Sequence, residues 1–110
     1  GVTMDWKIKY HPLAAEELTK LDGSVRKIVL KGILKVAQNP RPQSEGGYGK
    51  PLGNKGGNDL TGLLKIKYRD IGIRVVYKLV EDELTHEMFI LVISARADNE
   101  VYDIAGKRKL

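Results

Sequence analysis

Four basic side chains recur at alternating positions in two neighbouring segments of the C-terminal half of the chain. Lys65, Lys67 and Arg69 alternate with apolar residues, and Arg74 follows after a short interruption. Because alternate side chains of a strand point to the same face, each set would lie on one side of a sheet. Lysine and arginine offer several hydrogen-bond donors and no acceptor, so a cluster of them suits carboxylate or phosphate. The spacing predicts an anion-binding surface, and a solvated outer face is the alternative interpretation.

Two further side chains would reach that surface if a C-terminal helix folds back across the sheet. Arg96 ends an apolar run, and Tyr102 follows six residues later within a predicted helix. Each also has a simpler interpretation. A tyrosine on a terminal helix usually packs into a core, and Arg96 would pair with Asp98 or Glu100 close by.

Other catalytic centres are not expected. His11 and His86 are the only histidines, one at a predicted strand–helix junction and the other between strands, so neither a two-histidine site nor a metal site is predicted. The acidic run 81–83 is interpreted as a surface turn. The glycines near residue 50 lack the Gly-Lys-Ser/Thr ending of a phosphate loop. We therefore expect no metal and no cofactor.

The N-terminal third predicts a strand followed by two helices. Residues 5–10 alternate as a half-buried strand does, and Pro12 suits the first turn of a helix. Gly23-Ser24 is predicted to end that helix and to cap the next, which Asn39-Pro40 stops. Apolar residues at helical spacing mark the buried faces: Ala14, Leu18 and Leu21 in the first helix, and Val25, Ile28, Val29, Ile33 and Val36 in the second.

The segment 41–59 is predicted to be a long loop. It holds six of the 12 glycines and two of the four prolines, and it offers little to bury. A loop of this length is unusual in a compact domain and is often functional.

The remaining chain predicts three strands and a short helix. The strands are 60–69, 72–80 and 88–94, and the helix is Glu100 to Ala105, capped by Asp98 or Asn99 and ended by Gly106. The tail 107–110 is expected to be loose. If Asp70 and Ile71 are the two central residues of the first turn, Lys67 lies opposite Arg74. A shift of the strand pairing by one residue would turn half of the apolar side chains of the hairpin away from the core. One cluster of basic residues is therefore predicted on the open face of the sheet, and it consists of Lys65, Lys67, Arg69 and Arg74.

Size and charge fit a small domain with an anionic partner. The chain has 110 residues, 42% hydrophobic and 30% charged, with a net charge of +5, an isoelectric point near 9.5 and no cysteine. This is enough for one core, and the basic balance is compatible with nucleic acid. A single domain is expected over 4–110, with 1–3 a remnant ahead of the natural start at Met4. No membrane segment or signal peptide is predicted.

Two stretches carry a family resemblance. LLKIKYRDIGIRVVYKL (63–79) and VISARADNEVY (92–102), in this order and at this chain length, resemble the RelE family of the RelE/ParE toxin superfamily. The resemblance covers residues 5–105. It implies an α+β fold with an antiparallel sheet of about four strands, an N-terminal helical hairpin on one face and a short C-terminal helix, in the order β-α-α-β-β-β-α.

The resemblance also implies roles for individual residues. Lys65 and Lys67 match the paired strand lysines that hold the scissile phosphate, and Arg74 matches the arginine that binds it from the next strand. Arg96 matches the arginine that assists the leaving oxygen, and Tyr102 matches the tyrosine that helps to activate the attacking ribose hydroxyl. Additional RNA contacts are predicted from Arg69, Lys78, Lys107 and Arg108.

The implied activity is that of a toxin in a type II toxin–antitoxin system. Such a protein is a ribosome-dependent endoribonuclease that cleaves mRNA in the ribosomal A site through the 2′-hydroxyl of the RNA, without metal. The expected partners are a RelB-like antitoxin, the ribosome with mRNA, and operator DNA through the antitoxin complex, all in the bacterial cytoplasm. Two alternatives stay open: a ParE-like toxin that inhibits DNA gyrase, and a catalytically inert RNA-binding relative.

Overall fold

A computed structural model describes residues 6–55 and 58–109. The predictions for 1–3, for the start of the first strand at Asp5 and for Leu110 lie outside the described residues. The elements in chain order are β1 (Lys7–Tyr10), α1 (Pro12–Thr19), α2 (Gly23–Ala37), a 3-10 turn (Gln43–Glu45), β2 (Lys50–Lys55), β3 (Asn58–Tyr68), β4 (Ile73–Glu81), β5 (His86–Ser94) and α3 (Asp98–Arg108).

The five strands form one mixed sheet in the order β1-β5-β4-β3-β2. The α+β class and the succession of elements agree with the prediction, but the sheet differs in two details. It has five strands rather than about four, and β1 runs parallel to β5 while the other neighbours are antiparallel. Alternation within residues 5–10 predicts a strand, but nothing in that pattern specifies its distant partner or its direction.

The prediction of a loop throughout 41–59 was wrong in its second half. Lys50–Lys55 forms β2, which pairs with the first half of β3. Only one side chain in β2, Leu52, is both apolar and buried, so the strand depends mainly on backbone pairing and gives no apolar alternation. Between Pro51 and Gly53 the register shifts by a bulge on β3, where Gly62 has a positive φ of 87°.

The predicted register of the β3–β4 hairpin is confirmed. Lys67 is the partner of Arg74, and Tyr68 is the partner of Ile73. Gly72 ends the turn with a φ of 65°, a conformation that side chains with a Cβ rarely adopt. The hairpin therefore places its basic set on one face and its apolar set on the other.

Helices cover both faces of the sheet, and each side has its own core. Helices α1 and α2 bury Ala14, Val29 and Ile33 against the apolar face of β3, β4 and β5. On the opposite face, α3 buries Val101, Tyr102 and Ala105 against a second apolar cluster, which contains Leu52, Leu60, Leu63, Val76, Leu91 and Val92. None of the helices within the described residues is long and apolar enough to cross a membrane.

Three helix ends differ from the prediction. The N-cap of α2 is Asp22, whose carboxylate accepts a hydrogen bond from the Ser24 hydroxyl instead of capping the backbone. Helix α3 starts after Ala97, without a side-chain cap, and runs through Gly106 to Arg108. The tail is therefore helical up to Arg108 because that residue is anchored by tertiary contacts, which local sequence signals do not reveal.

Candidate active site

The basic side chains of the β3–β4 hairpin lie on one face at the position that the register requires. Lys67 and Arg74 are directly opposite each other, and Lys65 lies two residues along β3 from Lys67. The structure adds Lys50, an exposed residue of β2 that pairs with Lys65 and therefore shares its face. We call Lys50, Lys65, Lys67 and Arg74 the cationic patch.

Helix α3 brings Tyr102 to this patch. Lys65 Nζ donates a hydrogen bond to the hydroxyl oxygen of Tyr102 at 3.1 Å and lies 5.8 Å from the centre of its ring. The ring itself is buried, with 7% of the residue exposed, beside Leu63 and Val101. Tyr102 thus combines the two predicted roles, core packing and a place at the basic surface. Its ring packs in the core, and its hydroxyl contacts a lysine of the patch.

A carboxylate occupies the other end of the patch. Asp98, the first residue of α3, places Oδ2 3.8 Å from Lys67 Nζ, and its Oδ1 accepts a hydrogen bond from Arg74 Nε. Arg74 also donates from Nη1 to the carbonyl oxygen of Arg96 at 2.9 Å. Arg74 therefore holds the start of α3 and the segment before it against the sheet.

The guanidinium of Arg96 does not join the patch in this structure. Its Nη1 lies 3.3 Å from Glu100 Oε2, one helical turn away, and 67% of the side chain is exposed. In this structure Arg96 thus takes the simpler of its two predicted roles, which is to pair with a carboxylate close by in the chain. An exposed ion pair of this kind is weak, so Arg96 is free to exchange Glu100 for another anion.

Arg69 lies near a small cavity at the tip of the hairpin. The cavity has a volume of about 200 Å³ and is lined by Lys67, Arg69, Gly72 and Arg74 among others. Tyr68 and Ile73 complete the lining, so the cavity combines basic and apolar walls.

The other three predicted RNA contacts lie towards the end of α3. Lys78 Nζ donates to the carbonyl oxygen of Lys109 at 3.0 Å and lies over the ring of Phe89, and Lys107 is exposed. Arg108 is held in place, since it donates to both carboxylate oxygens of Glu17 at 2.8 and 3.0 Å and to the carbonyl oxygen of Leu91.

Two features of the site were not predicted from the sequence. The sheet face that carries the patch is not fully open, because α3 packs on β3, β4 and β5. In addition, Lys50 and Asp98 join the site. Lys50 lies in a segment whose composition predicts a loop, and the position of Asp98 in the sequence predicts only a helix cap or a partner for Arg96.

Tyrosines on the opposite face have structural roles. Tyr68 donates its hydroxyl hydrogen to the Val29 carbonyl at 2.7 Å, and Tyr77 donates to Pro40 at 2.8 Å. Burial raises the pKa of Tyr68 and the pKa of Tyr77, so both remain protonated donors at neutral pH. Tyr102 is the tyrosine placed beside the basic residues. In the part of the chain that the structure describes, no group of three or more His, Asp or Glu side chains is arranged to hold a metal ion.

Comparisons with known proteins find relatives that are named RelE or RelE-like toxins. No family model matches the chain. The mRNA interferase toxin RelE of Escherichia coli K12 is 28% identical in an alignment that covers 97% of this chain and 100% of that protein. A putative RelE-like toxin protein of E. coli is 26% identical, over 96% of this chain and 98% of its own length.

Solved structures give the same result. A mutant of E. coli toxin RelE in the free state superposes with a TM-score of 0.72 at 26% identity, covering 97% of this chain and 100% of the other. The isolated E. coli RelE toxin gives a TM-score of 0.66 at 26% identity, over 96% and 99%. The chain thus shares its α+β fold with these RelE toxins. Within that class, the relatives and the structures support a RelE-type toxin, as the sequence resemblance predicted.

Proposed function

We propose that this chain is the toxin of a type II toxin–antitoxin pair and an endoribonuclease that cuts mRNA in the A site of the ribosome. The observation that carries the proposal is the junction of Lys65 and Tyr102 beside the Lys67–Arg74 pair on one sheet face. This junction brings together one group that can transfer a proton and several cationic hydrogen-bond donors that can bind a phosphate. The relatives named mRNA interferase support the reaction class.

The proposed reaction uses the RNA as its own nucleophile. The 2′-oxygen attacks the adjacent phosphorus, the bond from phosphorus to the 5′-oxygen breaks, and the products are a 2′,3′-cyclic phosphate and a 5′-hydroxyl. The phenolate oxygen of Tyr102, whose negative charge the Lys65 ammonium stabilises, takes the proton of the 2′-hydroxyl. Lys67 and Arg74 bind the phosphate oxygens. Arg96 turns from Glu100 to stabilise the negative charge on the leaving 5′-oxygen, which takes its proton from water.

This reaction needs acid–base and electrostatic groups and no bound metal. Electrostatic stabilisation at the phosphorus comes from Lys67 on β3 and Arg74 on β4. Positioning by the ribosome would contribute several kcal/mol more, because an aligned intramolecular attack avoids the entropy of bringing the groups together. The protein would therefore act where ribosomes translate, in the bacterial cytoplasm.

The test is cleavage of a defined mRNA on purified ribosomes with a known codon in the A site. The protein should cut the unmodified mRNA and leave a cyclic phosphate. One 2′-deoxy nucleotide on the 5′ side of the cut should abolish cleavage. Arg96→Ala should lose the activity, and omission of ribosomes should suppress it. Lys31→Ala, on the exposed side of α2 and away from the patch, is the matched control.

Intact mRNA in every reaction would refute the nuclease function. A supercoiling assay with DNA gyrase would then examine the ParE-like alternative. Cleavage that persists at the 2′-deoxy position would instead point to an external nucleophile, such as a metal-activated water, and would refute the proposed mechanism.

We further propose a RelB-like antitoxin as the partner, with operator DNA bound through the complex. The fold is shared with the toxin in the intact E. coli RelBE toxin–antitoxin complex, with a TM-score of 0.61 at 23% identity. Expression of the chain should arrest growth, and co-expression of the neighbouring open reading frame should restore it. Growth arrest that the neighbouring product does not relieve would argue against this pairing.

A further inference from the structure

The phosphate-binding end of the cationic patch already holds an anion supplied by the chain itself. The carboxylate of Asp98 lies between Lys67 and Arg74 and contacts both of them. Two cations directly opposite each other on neighbouring strands repel, and the carboxylate offsets this repulsion. In the resting protein these two donors are therefore engaged.

We propose that Asp98 is an internal substitute for the substrate phosphate and determines specificity, because RNA must displace it from Lys67 and Arg74. This inference rests on the proposed function. Carboxylate and phosphate present similar oxygen acceptors to a guanidinium, and Arg74 Nε cannot fully serve both. Binding of RNA at this end of the patch is then an exchange of anions rather than an addition.

Such an exchange discriminates between loosely and firmly presented phosphates. Asp98 is tethered to the site and competes at a high effective concentration, so the phosphate of a freely diffusing RNA gains little by displacing it. A phosphate that a larger assembly holds in place has already lost its freedom of motion and competes better. Asp98 would thus lower the affinity for free RNA more than the activity on positioned RNA.

The placement of Asp98 allows the exchange without unfolding α3. Asp98 is the first residue of the helix, and 41% of its side chain is exposed. The buried anchors of the helix, Val101, Tyr102 and Ala105, lie further along and on the sheet side. Rotation of one carboxylate towards solvent therefore frees both cations while the helix stays docked.

The alternative is that Asp98 only fastens the start of α3 to the sheet. Both roles predict some loss of thermal stability in a variant without the carboxylate. They differ in RNA affinity, because only a competing anion weakens binding of RNA to the intact fold.

The experiment measures the affinity for a short single-stranded RNA with 2′-O-methyl groups, which the protein cannot cut. Fluorescence anisotropy compares the wild type with Asp98→Asn and Asp98→Ser, two variants that suit a helix start. Both should bind roughly three- to tenfold more tightly, a modest gain because the site is partly exposed. Asp98→Glu, which restores the charge, should return the affinity towards that of the wild type.

The salt dependence provides a readout that a structural role would not change. In the wild type, Asp98 already offsets the charge of the two cations, so exchanging it for a phosphate adds little net neutralisation of the RNA. In Asp98→Asn, the two cations neutralise one or two further RNA phosphates, whose condensed counterions are released, so the slope of log affinity against log salt should steepen by roughly 0.7 to 1.4. Glu16→Gln removes the same charge from helix α1, on the opposite face of the sheet, where Glu16 pairs with Lys20 at the surface, and it should change neither quantity.

Equal or weaker binding by both neutral variants overturns the inference. An equal gain in Glu16→Gln also overturns it, because it would show that the net charge alone sets the affinity. Absence of binding by every variant overturns it as well. The proposed function is judged separately by mRNA cleavage on ribosomes. If the wild type cleaves mRNA but the neutral variants bind RNA with unchanged affinity, only the inference about Asp98 is refuted. If the neutral variants bind RNA more tightly but the wild type cleaves no mRNA, only the nuclease function is refuted.

Discussion

Lys65 Nζ lies 3.1 Å from the hydroxyl oxygen of Tyr102, although the two residues are 37 positions apart in the chain. The contact joins the basic face of β3 to helix α3, which supplies the only described tyrosine that hydrogen-bonds to a lysine of the patch. It depends on the way the buried ring of Tyr102 packs, since the ring fixes the direction of the hydroxyl. Removal of the hydroxyl oxygen alone therefore separates the chemical role of Tyr102 from its structural role.

Replacement of Tyr102 by phenylalanine should abolish activity while the fold remains. We expect Tyr102→Phe to lower the single-turnover cleavage rate on ribosomes by about 10²- to 10⁴-fold, the usual contribution of a general acid–base group. The loss of stability should be about 1 kcal/mol, because the ring still fills its place. Tyr68→Phe is the matched control: it removes the bond to Val29 on the opposite face and should leave the rate unchanged. Full activity of Tyr102→Phe would exclude a chemical role for its hydroxyl.

The hairpin that carries the patch was predictable from the sequence because two constraints agree. The apolar set must face the core, and a turn centred on Asp70 and Ile71 permits only the register in which Lys67 meets Arg74. Such local alternation does not reveal pairing between distant segments. Strand β2 buries Leu52 but shows no alternation, so its pairing with β3 and the place of Lys50 beside Lys65 became visible only in the structure.

Local signals also failed at α3. Gly106 and the basic tail indicate a helix end, whereas the ion pair of Arg108 with Glu17 extends the helix. Glu17 and Arg108 are 91 positions apart, and no pattern in the sequence links them. Asp98 is a similar case, since its contacts with Lys67 and Arg74 depend on how α3 crosses the sheet.

Arg108 and Lys107 should therefore behave differently when each is replaced by alanine. Only 14% of the Arg108 side chain is exposed, and it satisfies Glu17 and the Leu91 carbonyl. Arg108→Ala should lower the free energy of unfolding by roughly 1–3 kcal/mol, because charged partners lose their hydrogen bonds. Lys107→Ala should leave stability unchanged and, if Lys107 contacts RNA, reduce the salt slope of RNA binding by about 0.7.

Urea denaturation and RNA titrations at several salt concentrations test both variants. A stable Arg108→Ala protein with weakened RNA binding would reverse the assignment and make Arg108 an RNA contact.

The end of β4 should contribute acid-sensitive stability. Arg41 donates a hydrogen bond to Glu81, and this contact, with a smaller contribution from His86, holds the pKa of Glu81 below its usual value of 4.5. A depressed carboxylate pKa stabilises the fold above the unfolded-state pKa, and this contribution disappears as the pH falls through the folded-state value. The melting temperature of Glu81→Gln should therefore lie below that of the wild type at neutral pH, and the difference should vanish in acid.

Thermal melts from neutral pH down to about pH 2 test this expectation, because the contribution is fully lost only below the folded-state pKa, which lies under the usual value for a glutamate. Glu83→Gln, in the same turn but without a contact to Arg41, should show no such pH-dependent difference. A gap between wild type and Glu81→Gln that stays constant in acid would mean that the Arg41 contact does not act through ionisation.

Helix α2 approaches β3 so closely that it leaves no room for a side chain at Gly32. A Cβ there would lie 2.4 Å from the hydroxyl oxygen of Tyr68 and 2.5 Å from its ring, so the ring must shift and lose its bond to Val29. We expect Gly32→Ala to lower the free energy of unfolding in urea by roughly 1–3 kcal/mol, the effect of overpacking. Gly23→Ala in the same helix meets nothing within 4 Å and should be neutral or slightly stabilising. Equal stability of the two variants would show that α2 packs more loosely on the sheet, and cleavage on ribosomes should survive in both because the patch lies on the opposite face.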